Sequence, residues 1–269
     1  MTTFSFIIVN YNTKEALRRC LLSVVKFCSS DQIEVIVIDN NSQDGSQNML
    51  KHNFYNQVNF VFNSSNLGFS KACNQGASLA RGKYLFFLNS DAYLTENILT
   101  KVEEIFKVKE SLNLVALSPV IKDEKGKLEP RFFGDFPNLF SIFFQRGKKN
   151  ISENDLNSKL ITEVDWLSGA ALIIKKSAFF SVEGFDKNFF MYFEDIDLAK
   201  KLRKLGYILA VCPLSLSVIH QRGLSLKNKD KLRKKYYYQS QDYYFKKYYG
   251  LLSLYLLRLF RFFYITLFK

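Results

Sequence analysis

The chain has 269 residues, 48% of them hydrophobic and only four of them proline. That is ample for one large domain plus an extension, and it excludes a disordered polymer. Four scattered cysteines form no C-x-x-C pair, which excludes a disulfide framework and suits reduced thiols in a cytosolic compartment. The net charge of +13 is lopsided: residues 222–269 hold twelve Lys/Arg against two Asp, while residues 1–221 hold 26 basic against 23 acidic. The basic tail, not the body, therefore points to an anionic partner, a polyanion or a membrane surface.

In chain order, the apolar run Phe4–Asn10 reads as a strand. No charged n-region or apolar h-region precedes it, so a cleaved signal peptide is not expected. Residues 14–27 place Leu17, Leu21, Val24 and Val25 on one helical stripe. Glu34–Asp39 reads as a second strand, with Asn41 and Ser42 placed to cap a short helix after it. Strand Val58–Phe62, helix 70–80, strand Tyr84–Leu88, helix 95–108 and strand Leu114–Leu117 follow. Such alternation implies βαβ crossovers and an α/β fold with a mainly parallel sheet, whose ligands bind beyond the carboxyl ends of the strands.

Residues 119–160 are less regular, with Lys122–Lys127 reading as a hairpin turn. DWLSGAALII from Asp165 reads as a loop entering a strand, and helix 194–205 opens with Glu194, Asp195 and Asp197. Strand-like runs then lead to His220. The composition changes sharply after Arg222, which divides the chain into a domain over 1–225 and a tail over 226–269. No internal repeat is present.

Three polar clusters directly follow strands: Asn10-Tyr11-Asn12, Asp39-Asn40-Asn41-Ser42 and Asn89-Ser90-Asp91. All three would project from one edge of a parallel sheet. Singly, each is readable as a cap or a helix-entry turn. Three on one edge point to a ligand site. The chain has no G-x-S-x-G, Walker loop, H-E-x-x-H or G-x-G-x-x-G.

On the stretches FSFIIVNYNTKEALRRCLLSV, VIVIDNNSQDGS, NLGFSKACNQGA, YLFFLNSDAYL, VDWLSGAALIIKKSAF, FFMYFEDIDLAKKLRKLGY and VIHQRGLS, the chain resembles the inverting family 2 glycosyltransferases of the GT-A fold, notably the bacterial rhamnosyltransferase-like members. The stretches occur in family order over residues 4–225. The resemblance implies a UDP- or dTDP-sugar donor and a Mg²⁺ or Mn²⁺ ion. It makes Asp39 the acceptor of a uracil or thymine N3–H, with Tyr11, Asn12 and Asn41 nearby and Asn66, Gly68 and Asn74 in the donor-site loop. Asn89-Ser90-Asp91 matches the family's D-x-D motif with Asn for the first Asp, leaving Asp91 as metal ligand. His220 would complete that metal site, and Arg222 and Ser225 would reach the diphosphate. Asp195 would be the general base, with Glu194 orienting it or bonding the acceptor. Asp165, Trp166 and Gly169 would meet the donor sugar or the acceptor.

For each of these a plainer role stands beside the chemical one. His220 fits a structural histidine, Trp166 a core residue, Gly68 a simple turn and Glu194-Asp195 ordinary N-terminal helix charge. The acceptor implied is a glycan or lipid-linked glycan at the inner face of the cell membrane.

The tail interleaves Lys/Arg with Tyr over 231–249 and is then apolar over 251–268 save Ser253, Arg258, Arg261 and Thr266. Two mid-segment arginines are costly in a spanning helix, so the expectation is an interfacial helix on anionic lipid with its arginines snorkelling. Packing on the catalytic domain or in a dimer is the alternative. A nucleic-acid-binding reading explains the basic tail but not the strand-end clusters, and no nucleic acid is expected. The Asn89 departure leaves a second alternative, a nucleotide-sugar-binding protein with reduced catalysis.

Overall fold

A computed structural model describes residues 2–28, 30, 32–143, 153–224 and 230–267. The N-terminal half runs β1 (Phe4–Asn10), α1 (Lys14–Phe27), β2 (Ile33–Asp39), α2 (Ser46–Asn53), β3 (Asn59–Phe62), α3 (Phe69–Leu79), β4 (Tyr84–Leu88), β5 (Ala92–Leu94) and α4 (Leu99–Val108). Then come β6 (Leu114–Ser118), β7 (Val120–Lys122), β8 (Phe133–Gly134), α5 (Leu139–Phe143), α6 (Glu153–Ser158), β9 (Thr162–Val164), β10 (Trp166–Leu167), β11 (Ala171–Lys175) and α7 (Lys176–Ser181). The chain closes with α8 (Glu194–Lys204), β12 (Ile208–Val211), β13 (Ser217–His220) and α9 (Asp230–Leu267).

Eight strands form the central sheet in the order β3-β2-β1-β4-β11-β6-β12-β9. Strands β3, β2, β1 and β4 are parallel, and β11 runs against both β4 and β6. This is the GT-A architecture, a large, mostly parallel sheet flanked by helices. Strand β4 is buried at every position, and β1 and β2 nearly so, as unbroken apolar strands between helical layers must be. Helix α3 approaches the sheet closely through Ala72, Cys73, Gly76 and Ala77. A Cβ on Gly76 would sit 2.5 Å from Ile7.

A small second sheet, β5-β13-β7, matters more for function. Its register sets Ala92 opposite His220, so Asp91 and His220 become neighbours although 129 positions apart.

Two local expectations shift. The helix expected over 95–108 starts at Leu99, because 92–94 pairs with β13 instead and the Asn97 side chain takes the Leu99 N–H. Asp91 therefore enters a strand rather than a helix. Asn41 and Ser42 do not cap α2: Asp44 accepts the Ser46 N–H, and Ser42 turns back towards β1. The hairpin at 122–127 forms as expected, with Asp123 accepting the Lys125 and Lys127 amides and Gly126 at φ +77°. All four cysteines are free and buried.

Helix α9 breaks at Gly250 (φ 82°). Arg258 and Arg261 then pair with Asp242, so the two limbs, 230–249 and 251–267, lie antiparallel. The arginines expected to snorkel face the partner limb.

Candidate active site

The ends of β1, β2 and β4 form one hydrogen-bonded rim. Asn10 donates through Nδ2 to Asp39 Oδ2 (2.7 Å) and Ser42 Oγ (3.0 Å). Thr13 donates to Asn10 Oδ1 (2.7 Å) and lies 2.8 Å from Ser90 Oγ. Asn12, at φ 54°, donates its N–H to Ser42 Oγ and accepts the Gln43 N–H. Asp39 is fully buried, and its carboxylate also accepts the Ser42 N–H and Gln47 Nε2. Three of its roughly four acceptor positions thus face protein. Asn41, at φ 65°, bonds Gln43, and Tyr11 is half-buried on the same edge.

Beside this rim, His220 sits between two carboxylates. Its Nε2 is 3.1 Å from Asp91 Oδ1 and 3.3 Å from the Asn89 amide, while its Nδ1 is 2.8 Å from Glu129 Oε2. Burial pulls the imidazole pKa down. The hydrogen bonds and charges of Asp91 and Glu129 outweigh that and push it up to about 9. Burial likewise raises the Asp91 carboxyl, but His220 and the Leu224 N–H hold it below its ordinary value.

Glu129 was not singled out from the sequence. It also pairs with Arg222, whose guanidinium bonds the Pro130 carbonyl. Arg222 is thereby directed to Glu129 rather than into open space, and Ser225 lies outside the described residues.

Asp91 and the imidazole edge face each other with the Asn89 side chain beside them, and once an ion displaces the Nε2 proton they make a hard-oxygen and nitrogen donor set that fits a divalent ion such as Mn²⁺. Glu129 on the far nitrogen is the outer-shell partner that a metal-bound histidine ordinarily has. Among the described residues no group of three or more His, Cys, Asp or Glu is arranged to hold a metal by itself, so an ion here needs further oxygens from a bound phosphate or water.

The acidic pair stands at the start of α8. Asp195 Oδ2 accepts the Gly169 N–H (3.1 Å) and Oδ1 the Ile196 N–H (2.8 Å). Desolvation pushes its carboxyl up to about 6 against the opposing pull of these amides. Glu194 is buried with Oε2 unpartnered. Burial first, and then the charges of Asp195 and Asp197, raise its pKa well above the ordinary value. Two adjacent carboxyls in such a place divide into a protonated Glu194 and a more readily ionised Asp195.

One short segment touches both groups. Ala170 accepts the Asn89 N–H (3.0 Å), and its neighbour Gly169 donates to Asp195. A Cβ on Gly169 would come within 3.1 Å of the Phe69 ring.

The remaining expected residues divide. Asn66 Oδ1 accepts the Gly68 N–H, and Gly68 (φ 84°) admits only glycine because a Cβ would meet Phe190 O at 2.6 Å. Asn74 is occupied on both side-chain atoms by the Phe185 backbone, which makes it a brace for the loop before α8. Trp166 donates to Asp135 O, and Asp165 accepts the Phe136 N–H and lies 3.8 Å from Arg203. Their polar atoms are engaged by Asp135, Phe136 and Arg203.

Strand ends gathered into a polar rim, with an Asp–His pair beside them, stand on the large, mostly parallel sheet of a GT-A glycosyltransferase. The chain belongs to the family described as "Glycosyl transferase family 2", whose sequence model matches residues 5–164. It is 25% identical over 236 residues to the N-acetylglucosaminyl-diphospho-decaprenol L-rhamnosyltransferase of Mycobacterium tuberculosis, covering 81% of this chain and 75% of that one. Among solved structures it resembles the mannosyltransferase PcManGT of Pyrobaculum calidifontis in complex with GDP-Man and Mn²⁺ (TM-score 0.62, 17% identity, 91% of this chain and 63% of that one). It also resembles Staphylococcus aureus TarS 1-349 in complex with UDP (TM-score 0.58, 17% identity, 81% and 60%). The chain spans under two thirds of either solved chain.

Proposed function

We propose that this glycosyltransferase moves a sugar from a UDP- or dTDP-sugar to a hydroxyl of a lipid-linked or surface glycan, with inversion at the anomeric carbon. The observation that carries the reading is the support that Asn89 and Asp195 share. Asn89 and Asp195 are both tied to Gly169-Ala170, which supports a leaving-group site and a base held by one short segment.

In the reaction, the acceptor oxygen bonds to the anomeric carbon while the carbon–oxygen bond to the β-phosphate breaks. The bonding pair leaves with the diphosphate, and the hydroxyl proton passes to Asp195. Asp195 is held in place by the Gly169 and Ile196 amides, and its pKa near 6 leaves it ionised at neutral pH yet basic enough to accept a proton. Glu194, kept protonated by burial, offers an O–H donor to a sugar oxygen. Asp91 and His220, with the Asn89 amide, would hold Mg²⁺ or Mn²⁺, which supplies charge neutralisation for the departing diphosphate. Base recognition at Asp39 would use the one carboxylate acceptor position that Asn10, Ser42 and Gln47 leave open.

A thermal-shift titration with UDP, dTDP and GDP, each with and without Mn²⁺, tests the reading. A pyrimidine diphosphate at ~100 times its dissociation constant is expected to stabilise the fold by about 2.7 kcal/mol, only with metal, and not in Asp91→Ala. Asp195→Asn is expected to keep that shift and lose transfer. No shift with any nucleotide in folded protein would sink the reading.

A further inference from the structure

The second limb of α9 has two unlike sides. At about 100° per residue, Leu251, Leu252, Tyr255, Leu256, Leu259, Phe262 and Phe263 fall within one arc of roughly 140°. All seven are between 43% and 73% exposed. The opposite side holds buried Leu254 and Leu257 together with Arg261, which bonds Asp242 and Gln241 and lies over the Tyr238 ring. Arg258 likewise reaches Asp242. The limb's only two cations are thus engaged by the first limb, and a continuous apolar stripe is left facing outward. A stripe of seven large apolar side chains is more than a monomer ordinarily leaves in water.

We infer that this stripe is the face by which the protein lies in the surface of an anionic bilayer. Charge decides for lipid over a second copy. The two limbs carry eight Lys/Arg against two Asp, so face-to-face pairing of two copies brings like charges together, whereas anionic headgroups are attracted to them. Lys231, Lys234, Lys235 and Lys246 are exposed. The antiparallel pairing places 231–235 alongside the end of the stripe that carries Phe262 and Phe263. The limb lies on the bilayer rather than crossing it. Among the described residues no helix is long and apolar enough to span, and 17 residues of helix reach only about 25 Å.

The stripe is fixed relative to the candidate base. Lys247 bonds Asp197 Oδ1 (2.6 Å) and Asp186 Oδ2 (2.7 Å), Tyr248 donates to Asp197 (2.8 Å), and Ser240 donates to Met191 O (2.7 Å). Lys200 of α8 stands over the rings of Tyr248 and Tyr249 at 4.3 and 4.5 Å. The first limb therefore joins the membrane face to the helix that begins Glu194-Asp195. Docking at the stripe presents the cleft to an acceptor whose carrier is embedded in the same bilayer. That consequence rests on the transferase reading above, while the docking itself does not.

The test is flotation of the full chain with phosphatidylcholine vesicles, with and without an equimolar share of phosphatidylglycerol. Binding is expected on the anionic vesicles. The exposed-face variant Leu252→Glu/Leu259→Glu/Phe262→Glu is expected to weaken it by about tenfold or more. The variant Lys231→Gln/Lys234→Gln/Lys235→Gln is expected to weaken it on anionic vesicles only. Light scattering and the UDP thermal shift are run on the same proteins, so that loss of fold or of donor binding is read separately from loss of membrane binding. Undiminished flotation of the Leu/Phe variant overturns the proposal. So does a dimer in the parent that becomes a monomer in that variant, which would assign the stripe to a second copy. A parent that floats but gives no nucleotide shift would sink the transferase reading and leave the membrane face standing.

Discussion

At the scale of single residues, the site separates two carboxyls that the sequence leaves side by side. Asp195 keeps two backbone donors while Glu194 keeps an unpartnered oxygen, which supports the proposed division into a base and a proton holder. Because the base works ionised, kcat/KM is expected to be level above about pH 6 and to fall roughly tenfold per unit below it, following the Asp195 value of about 6. Stability runs the other way. A folded-state value raised from 3.8 favours folding when the group is protonated, so that contribution is complete in acid and is lost as pH rises towards about 6. A pH–rate profile beside a pH series of unfolding temperatures checks both; an activity limb absent near 6 removes Asp195 from the role of base.

The same scale exposes what one sequence could not tell. Asp91, His220 and Asp195 carry their own signals in a strand-end motif, a scarce residue type and an acidic helix start. Glu129 carries none: it becomes relevant only because its amide bonds Ile121 on β7 and β7 lies beside β13. Two tertiary pairings separate it from any pattern in its neighbourhood. Its contact with His220 Nδ1 gives it a positioning role. Glu129→Gln is expected to lower the Mn²⁺ affinity of the UDP complex by about 10- to 100-fold. Calorimetric titration of metal would read this without turnover, and unchanged affinity would reduce Glu129 to a structural partner of Arg222.

At the scale of elements, the apolar runs of β1, β2 and β4 were legible because strands buried on both faces show no alternation to misread. The start of α4 was less so, since the pairing of 92–94 with β13 overrides a good helical stretch. The tail shows the sharpest contrast. Its charges read as facing anionic lipid, yet Asp197 is fully buried and accepts from Lys247 and Tyr248, with Lys201 3.8 Å away. Lys247→Met removes the nearest cation from that carboxylate. The cost is expected to be about 2–3 kcal/mol, below that of breaking a fully buried pair, because Lys247 is partly exposed and Tyr248 remains. Chemical unfolding of the variant measures it, and a cost within experimental scatter would mean that Tyr248 and Lys201 suffice.

At the scale of the whole molecule, the composition break near residue 225 invites a division into a catalytic domain and an appendage. The packing argues for one cooperative unit instead. A second apolar cluster unites Phe189, Phe193 and Ile196, which lead into or lie on α8, with Tyr244, Phe245 and Leu257 of the tail. Phe143 stacks on Phe260 at 4.4 Å. Removing 226–269 would uncover those three residues and leave Asp197 without Lys247 and Tyr248, directly behind Glu194-Asp195. The full chain is therefore expected to unfold in one calorimetric transition, with van't Hoff and calorimetric enthalpies in agreement. A chain ending at 225 is expected to melt at a lower temperature and to lose transfer before it loses metal-dependent UDP binding, because the strand-end rim and the Asp91–His220 pair lie in other elements. Two resolved transitions in the full chain, or a truncated chain with unchanged melting temperature, would mean that the tail is a separable domain and that the contacts across α8 contribute little.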